Sequence, residues 1–232
     1  MKPLRSWVGM HRHEALVLGA VLCLLAFTYE TRADLLGTER AGGEWARVSA
    51  PLRPVFFHFL GGGVLLGVIP TVLACVLLKR TPRKLGLGGG NVRRGALWLV
   101  LGLPLAILAG KIASASPAMR AVYPLDPGLE AGHFLPHALS AFLYYGAWEV
   151  LFRGVLLFGL RDRFGAGMAN VLQTALSVTA HFGRPIDETF SALPAGLVFG
   201  WIDLSVGSVW YVGLIHWVLG MSMEAFILAG AG

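Results

Sequence analysis

The chain has 232 residues, of which 56% are hydrophobic and only 14% are charged, against about 25% charged residues in an ordinary soluble domain. This composition excludes a soluble globular protein and predicts one integral membrane domain over residues 1–232. The net charge of +6 is small, and the basic residues lie in the loops between apolar segments. We therefore expect the lipid bilayer as the environment and no nucleic acid as a partner.

Apolar segments of about 15 to 25 residues recur along the chain, close to the ~20 residues that a helix needs to cross a bilayer. They lie at 14–30, 54–78, 95–116, 134–160, 166–182, 189–203 and 206–230. This pattern predicts an all-α fold, a polytopic bundle of about seven transmembrane helices. The first segment follows basic residues as a signal peptide does, but no clear cleavage site follows it, so we interpret it as an uncleaved span.

The distribution of Lys and Arg residues predicts the orientation of the bundle. Eleven of them lie in the loops of one side, which are 1–13, 79–94, 161–165 and 204–205. The loops of the other side hold six. Since basic loops remain in the cytoplasm, we expect a multi-pass protein of the cell (inner) membrane with a cytoplasmic N-terminus.

The fourth apolar segment carries a carboxylate and a guanidinium, Glu149 and Arg153, in the run Trp148-Glu-Val-Leu-Phe-Arg-Gly154. A charged side chain at membrane depth costs at least ~2.5–3.5 kcal/mol and usually marks a functional site. On a helix, a spacing of four residues places both side chains on one face. A structural ion pair that fixes one helix against its neighbours is the alternative interpretation.

Two histidines, His181 and His216, lie inside later apolar segments. With a rise of ~1.5 Å per residue, Glu149, His181 and His216 are ~16, ~22 and ~14 Å from the basic side of the membrane. We therefore predict that the three side chains share a hydrated pocket. There the carboxylate can take a proton from water, while an imidazole orients the water or donates to a developing oxyanion.

The same groups allow two other interpretations. Two histidines and one carboxylate form a known metal-ligand set, so a metal held by Glu149, His181 and His216 stays open, and no other cofactor is expected. Buried charges also serve as proton relays in small transporters. Against a transporter, the chain is short and shows no inverted repeat.

The block Trp148–Gly154, followed by His181 and His216, resembles the CPBP family of intramembrane proteases, which includes the type II CAAX prenyl endopeptidases. The resemblance covers about 134–232, the motif-bearing helical core. It implies a glutamate-dependent endopeptidase that cleaves a membrane-anchored protein or peptide near its C-terminus. For a bacterial relative, the substrate class that it implies is a C-terminal sorting tag. Within that resemblance, Glu149 is the catalytic carboxylate that Arg153 supports, His181 orients the water, and His216 binds the oxyanion.

The chain departs from the family pattern at three positions. Trp148 stands where the family has a first glutamate, Ser177 replaces an aromatic residue, and Gly220 replaces an asparagine that donates to the oxyanion. Loss of one such donor typically lowers the rate ~10²–10³-fold. Two hypotheses follow: either Glu149 takes over as the base, or the protein is a catalytically inactive relative that acts as a membrane binding or immunity-type protein.

Overall fold

The computed structural model describes residues 11–36, 53–126 and 128–230, and these residues form helices and loops with no strand. Seven long helices follow one another in this part of the chain. They are α1 (Arg12–Leu36), α2 (Arg53–Gly62, Gly63–Val68 and Ile69–Leu78 in sequence), α3 (Val92–Ser114), α4 (Phe134–Glu149, Val150–Phe158 and Gly159–Phe164 in sequence), α5 (Ala166–Ala180), α6 (Ile186–Val206) and α7 (Trp210–Leu228). Short helical turns lie at Pro82–Leu85, Pro117–Arg120 and Ala131–His133.

The predicted all-α polytopic bundle is confirmed, and each predicted segment corresponds to one long helix. Six of the described helices are long and apolar enough to cross a membrane. The exception is α5, because its 15 residues span only ~22 Å at the helical rise. The predicted fifth span, 166–182, is thus shorter than a full crossing, and its helix ends at Ala180.

Helix α4 forms the centre of the bundle and packs against α2, α5 and α7. In its apolar window 78% of the residues are buried, against 11% in α3. Its second half supplies much of the core, including Phe152, Leu157 and Phe158, each at most 1% exposed. Glu149 and Arg153, the charged residues in the middle of α4, are therefore surrounded by protein and not by lipid.

Two helices contain π-helical segments, Gly63–Val68 in α2 and Val150–Phe158 in α4, and these segments contact each other. The wider turn of a π-helix changes the direction in which the following side chains point, and such segments are frequent at functional sites. The segment in α4 begins directly after Glu149 and contains Arg153.

Loops predicted to share one side of the membrane meet in the structure. Arg80 donates to the Phe158 carbonyl at 2.9 Å and pairs with Asp162, and Arg94 donates to the Ser205 carbonyl at 3.2 Å. We call this end of the bundle the basic face. At the opposite face, the loop 115–133 meets the start of α6, where the Ser116 hydroxyl donates to Asp187 at 3.0 Å.

Candidate functional site

Glu149 lies at the end of the first segment of α4 with 0% of its surface exposed. Its Oε1 accepts a hydrogen bond from Nδ1 of His216 at 2.7 Å and a second from Nη1 of Arg153 at 3.3 Å. Since a carboxylate only accepts, His216 carries a proton on Nδ1, and Nε2 is the ring nitrogen left for another partner. The structure thus brings together three of the four predicted site residues.

Asp203 of α6 belongs to the same buried cluster. Its side chain is 0% exposed, and neither carboxylate oxygen has a hydrogen-bond partner among the described residues. It lies close enough to Glu149 and Arg153 to interact electrostatically with both. One guanidinium therefore lies near two carboxyl groups in the centre of the bundle.

His181, the fourth predicted residue, makes its hydrogen bond elsewhere, although it lies close enough to His216 and Arg153 to interact electrostatically with both. It follows the last residue of α5, and its Nδ1 donates to the Ser177 carbonyl at 2.7 Å, which leaves Nε2 free. Its ring meets the edge of Trp148, with 5.2 Å between the ring centroids. Successive helical residues point ~100° apart, so Trp148 faces His181 while Glu149 faces His216.

His181 and Trp148 line a cavity of about 200 Å³ toward the opposite face of the bundle. This volume is enough for several water molecules at ~30 Å³ each. Apolar residues of α1, such as Leu24 and Phe27, form one wall. The polar and aromatic lining comes from His58, Tyr144, Trp148, His181, Arg184 and Glu188. Glu149 does not line this cavity, so the predicted pocket shared by Glu149 and His181 is not what the structure contains.

Glu188 and His58 are cavity residues that sequence reasoning missed. Oε1 of Glu188 accepts a hydrogen bond from the Tyr123 hydroxyl at 2.9 Å, while Oε2 is buried with no partner in the described part of the chain. Burial raises the pKa of the Tyr123 phenol, so this hydroxyl stays protonated and donates. The sequence feature that could have identified Glu188 is its position, because it follows His181 by only seven residues.

A second histidine–carboxylate pair also joins α4 to α7. Nε2 of His137 lies 2.7 Å from Oε2 of Glu224, and both side chains are 1% exposed. A position near the start of the fourth apolar segment predicts that His137 reaches the membrane interface. That prediction is wrong, because the bundle buries the side chain. The pair gives the molecule a buried histidine–carboxylate contact outside the predicted site.

The departure at Gly220 has a structural explanation. A Cβ atom added there would overlap the hydroxyl of Tyr145. The Tyr145 ring stands edge-on to His216, with 4.9 Å between centroids. A tyrosine from α4 therefore fills the space into which a side chain at position 220 of α7 would project.

The metal alternative needs three ligands at one point. In the described ranges, no three His, Cys, Asp or Glu side chains form such a group. Glu149 and His216 meet, but His181 lies beyond Trp148. The arrangement of these three residues therefore does not match a metal site.

A family model described as type II CAAX prenyl endopeptidase, Rce1-like, matches residues 132–221. The matched region runs from the start of α4 into α7 and contains Glu149, Arg153, His181 and His216. It confirms the resemblance to the intramembrane proteases that the sequence motifs predicted, and it supports protease chemistry for the chain. Comparisons with curated proteins and with solved structures gave no match.

Proposed function

We propose that this protein is an intramembrane endopeptidase that cleaves a membrane-associated protein near its C-terminus. The observation that carries the proposal is the 2.7 Å contact between Glu149 and His216 at the buried centre of the bundle, within the region that matches the protease family. A buried carboxylate bound to an imidazole is a recurrent catalytic arrangement, because the carboxylate fixes the tautomer and the direction of the ring.

In this arrangement Glu149 and Arg153 hold His216 in place. When the imidazole carries a second proton, its Nε2 donates a hydrogen bond to the oxyanion that develops on a scissile carbonyl. The arginine pairs with Glu149 and lies in the π-helical segment, whose geometry sets its direction. That Glu149 itself acts as the base stays a prediction, and its burial away from the cavity suits a supporting role better.

The cavity beside His181 supplies the space for a water molecule and a peptide. Since Nδ1 of His181 donates to a backbone carbonyl, Nε2 offers a lone pair toward the cavity when the ring is neutral. Such an acceptor can orient water for attack on a carbonyl. The apolar wall formed by α1 suits a substrate segment that is itself apolar.

The position of the cavity favours one substrate class. It lies toward the face opposite the basic loops, and we propose that the basic face is cytoplasmic in the cell (inner) membrane, with a cytoplasmic N-terminus. Cleavage would then occur on the outer side. A C-terminal sorting tag, which consists of a short motif, an apolar span and a basic tail, presents its motif there. A reporter enzyme active only outside the cytoplasm, fused within 79–90, should be inactive.

Co-expression with a library of reporter proteins that end in such tags tests the proposal. We expect cleavage by the wild-type protein and its loss in Glu149→Gln and in His181→Ala, with each variant still accumulating in the membrane. Glu224→Gln is the matched control, because it alters a buried histidine–carboxylate pair outside the proposed site. Unchanged cleavage in both Glu149→Gln and His181→Ala would refute the proposal.

A catalytically inactive membrane protein that binds a partner is the second candidate. Trp148 favours it, because an indole occupies the cavity wall where the family carries a glutamate. On this hypothesis the wild-type protein cleaves no member of the library. A partner captured by the wild-type protein would still be captured by His181→Ala, whereas Glu149→Gln would lower only the abundance of the protein.

A further inference from the structure

Glu188 is the acidic side chain at the cavity. It lies in the first turn of α6, and among the described residues it is the one carboxylate that lines the cavity with His181. A hydrogen bond holds the two segments together, because the hydroxyl of Thr189, the residue after Glu188, donates to the His181 backbone carbonyl at 3.0 Å. Both residues therefore lie at the same level of the bundle, near the opposite face.

The other buried carboxylates of the described chain are held elsewhere. Glu149 is bound by His216 and Arg153 and does not reach the cavity. Glu224 is bound by His137, and Asp126 accepts a hydrogen bond from the Gly128 amide. Asp203 lies with Glu149 outside the cavity lining. A carboxylate that receives a proton from cavity water must border the cavity, and Glu188 does.

The bonds around Glu188 leave one oxygen available. Tyr123 holds Oε1 at 2.9 Å, and Oε2 is buried with no hydrogen-bond partner among the described residues. His58 faces the same cavity, and both its ring nitrogens are likewise buried without partners in that part of the chain. Arg184 provides the positive charge in the cavity wall. A fixed carboxylate with one free oxygen beside such a void suits a proton acceptor.

We infer that Glu188 is the general base of the peptidase, in place of the glutamate that Trp148 replaces; this inference rests on the proposed function. Oε2 of Glu188 accepts a proton from a water molecule whose other hydrogen is held by Nε2 of His181. The resulting hydroxide adds to the scissile carbonyl carbon, and the C=O π electrons move to the oxygen. As the C–N bond breaks, the oxyanion re-forms the carbonyl and Glu188 returns its proton to the leaving nitrogen. Carboxylic acid and amine result, and the Glu188 carboxylate is restored.

Tyr123 is a positioning residue in this scheme, because it acts only through Oε1 of Glu188. Loss of its hydroxyl removes one hydrogen bond but leaves the carboxylate in the cavity. The titratable groups around Glu188 are His58 from α2, Tyr144 from α4, His181 and Arg184 from the loop after α5, Tyr123 from the loop after α3, and His216 from α7.

The test measures cleavage of the reporter library and then the rate on one cleaved member against pH. Glu188→Gln keeps the acceptor for Tyr123 and removes the base, so we expect a rate lower by about 10²–10⁴-fold. Glu188→Asp should recover part of the rate. The matched control is Asp187→Asn, since Asp187 is exposed, lies in the same helical turn and bonds only Ser116 among the described residues.

The pH profile separates catalysis from a structural role. Where Glu188 is the base, the fall in kcat/KM toward acid pH reports two ionisations, those of Glu188 and His181; only the ionisation of His181 remains in the residual activity of Glu188→Gln, whereas both persist in Tyr123→Phe and Asp187→Asn. Wild-type cleavage with an equal rate in Glu188→Gln overturns this inference but not the proposed function. A wild-type protein that cleaves no library member overturns both.

Discussion

Adjacent residues on α4 face two different environments. Glu149 points into a cluster of side chains, where His216 and Arg153 bind its carboxylate and it is fully buried. Trp148 points into a cavity, where both ring nitrogens of His58 and Oε2 of Glu188 have no hydrogen-bond partners among the described residues. The difference teaches that charge at membrane depth has two uses. Charges that are bonded to one another fix helices relative to one another, whereas polar groups that border a cavity remain available for chemistry.

The comparison predicts that substitution of Glu149 causes the largest loss of stability. In Glu149→Ala, Arg153 keeps its buried charge and loses the carboxylate that binds it. Removal of one partner from a buried pair typically costs about 3–5 kcal/mol, and we expect the free energy of unfolding in detergent micelles to fall by that amount. Asp162→Ala, which breaks an exposed pair with Arg80, should change it by less than about 1 kcal/mol. Equal losses in Glu149→Ala and Asp162→Ala would mean that the buried pair contributes no more to stability than the exposed pair.

Gly220→Asn should have the next largest effect. The new side chain meets the hydroxyl of Tyr145, and overpacking of a buried site typically costs about 1–3 kcal/mol. Because the overlap involves only the Tyr145 side chain, the double variant Gly220→Asn/Tyr145→Ser should recover part of the stability lost in Gly220→Asn. Thermal unfolding of the wild type, the two single variants and the double variant would show this recovery. A Gly220→Asn protein as stable as the wild type would contradict the explanation given for this glycine.

The second histidine–carboxylate pair sharpens the comparison. Glu224→Gln removes the charge beside His137 and should cost about 1.5–3 kcal/mol, the usual contribution of a hydrogen bond to a charged group. Glu149→Gln should cost a similar amount. Only Glu149→Gln should also abolish reporter cleavage, because Glu149 holds His216 of the proposed site, whereas Glu224 holds His137, which has no role in it. Loss of cleavage in both Glu149→Gln and Glu224→Gln, with both proteins equally abundant, would contradict the assignment of a catalytic role to only one of the two pairs.

The smallest change in stability should follow from substitution of His181, which lines the cavity. His181→Ala removes one hydrogen bond to the Ser177 carbonyl, which contributes about 0.5–1.5 kcal/mol. Reporter cleavage should nevertheless be lost, since no other ring replaces Nε2. Ser191→Ala, which removes a comparable side-chain bond to the backbone on α6, is the control and should retain cleavage. A His181→Ala protein that cleaves normally would contradict this assignment.

The sequence alone determined the class of the protein, its helices and the pairing of Glu149 with Arg153. Apolar length defines membrane helices, and a spacing of four residues places two side chains on one helical face, so both features are local. The family resemblance was equally accessible, because the motif consists of residue types at fixed spacings.

The tertiary structure decided which groups meet. Depth along a helix axis predicted that Glu149, His181 and His216 lie at one level, but it carries no information on the direction in which each side chain points. A step of one residue turns the helix by ~100°, and this rotation directs Glu149 to His216 and Trp148 to His181. The packing of α1, α2, α4 and the start of α6 around one void is also what brings Glu188 beside His181.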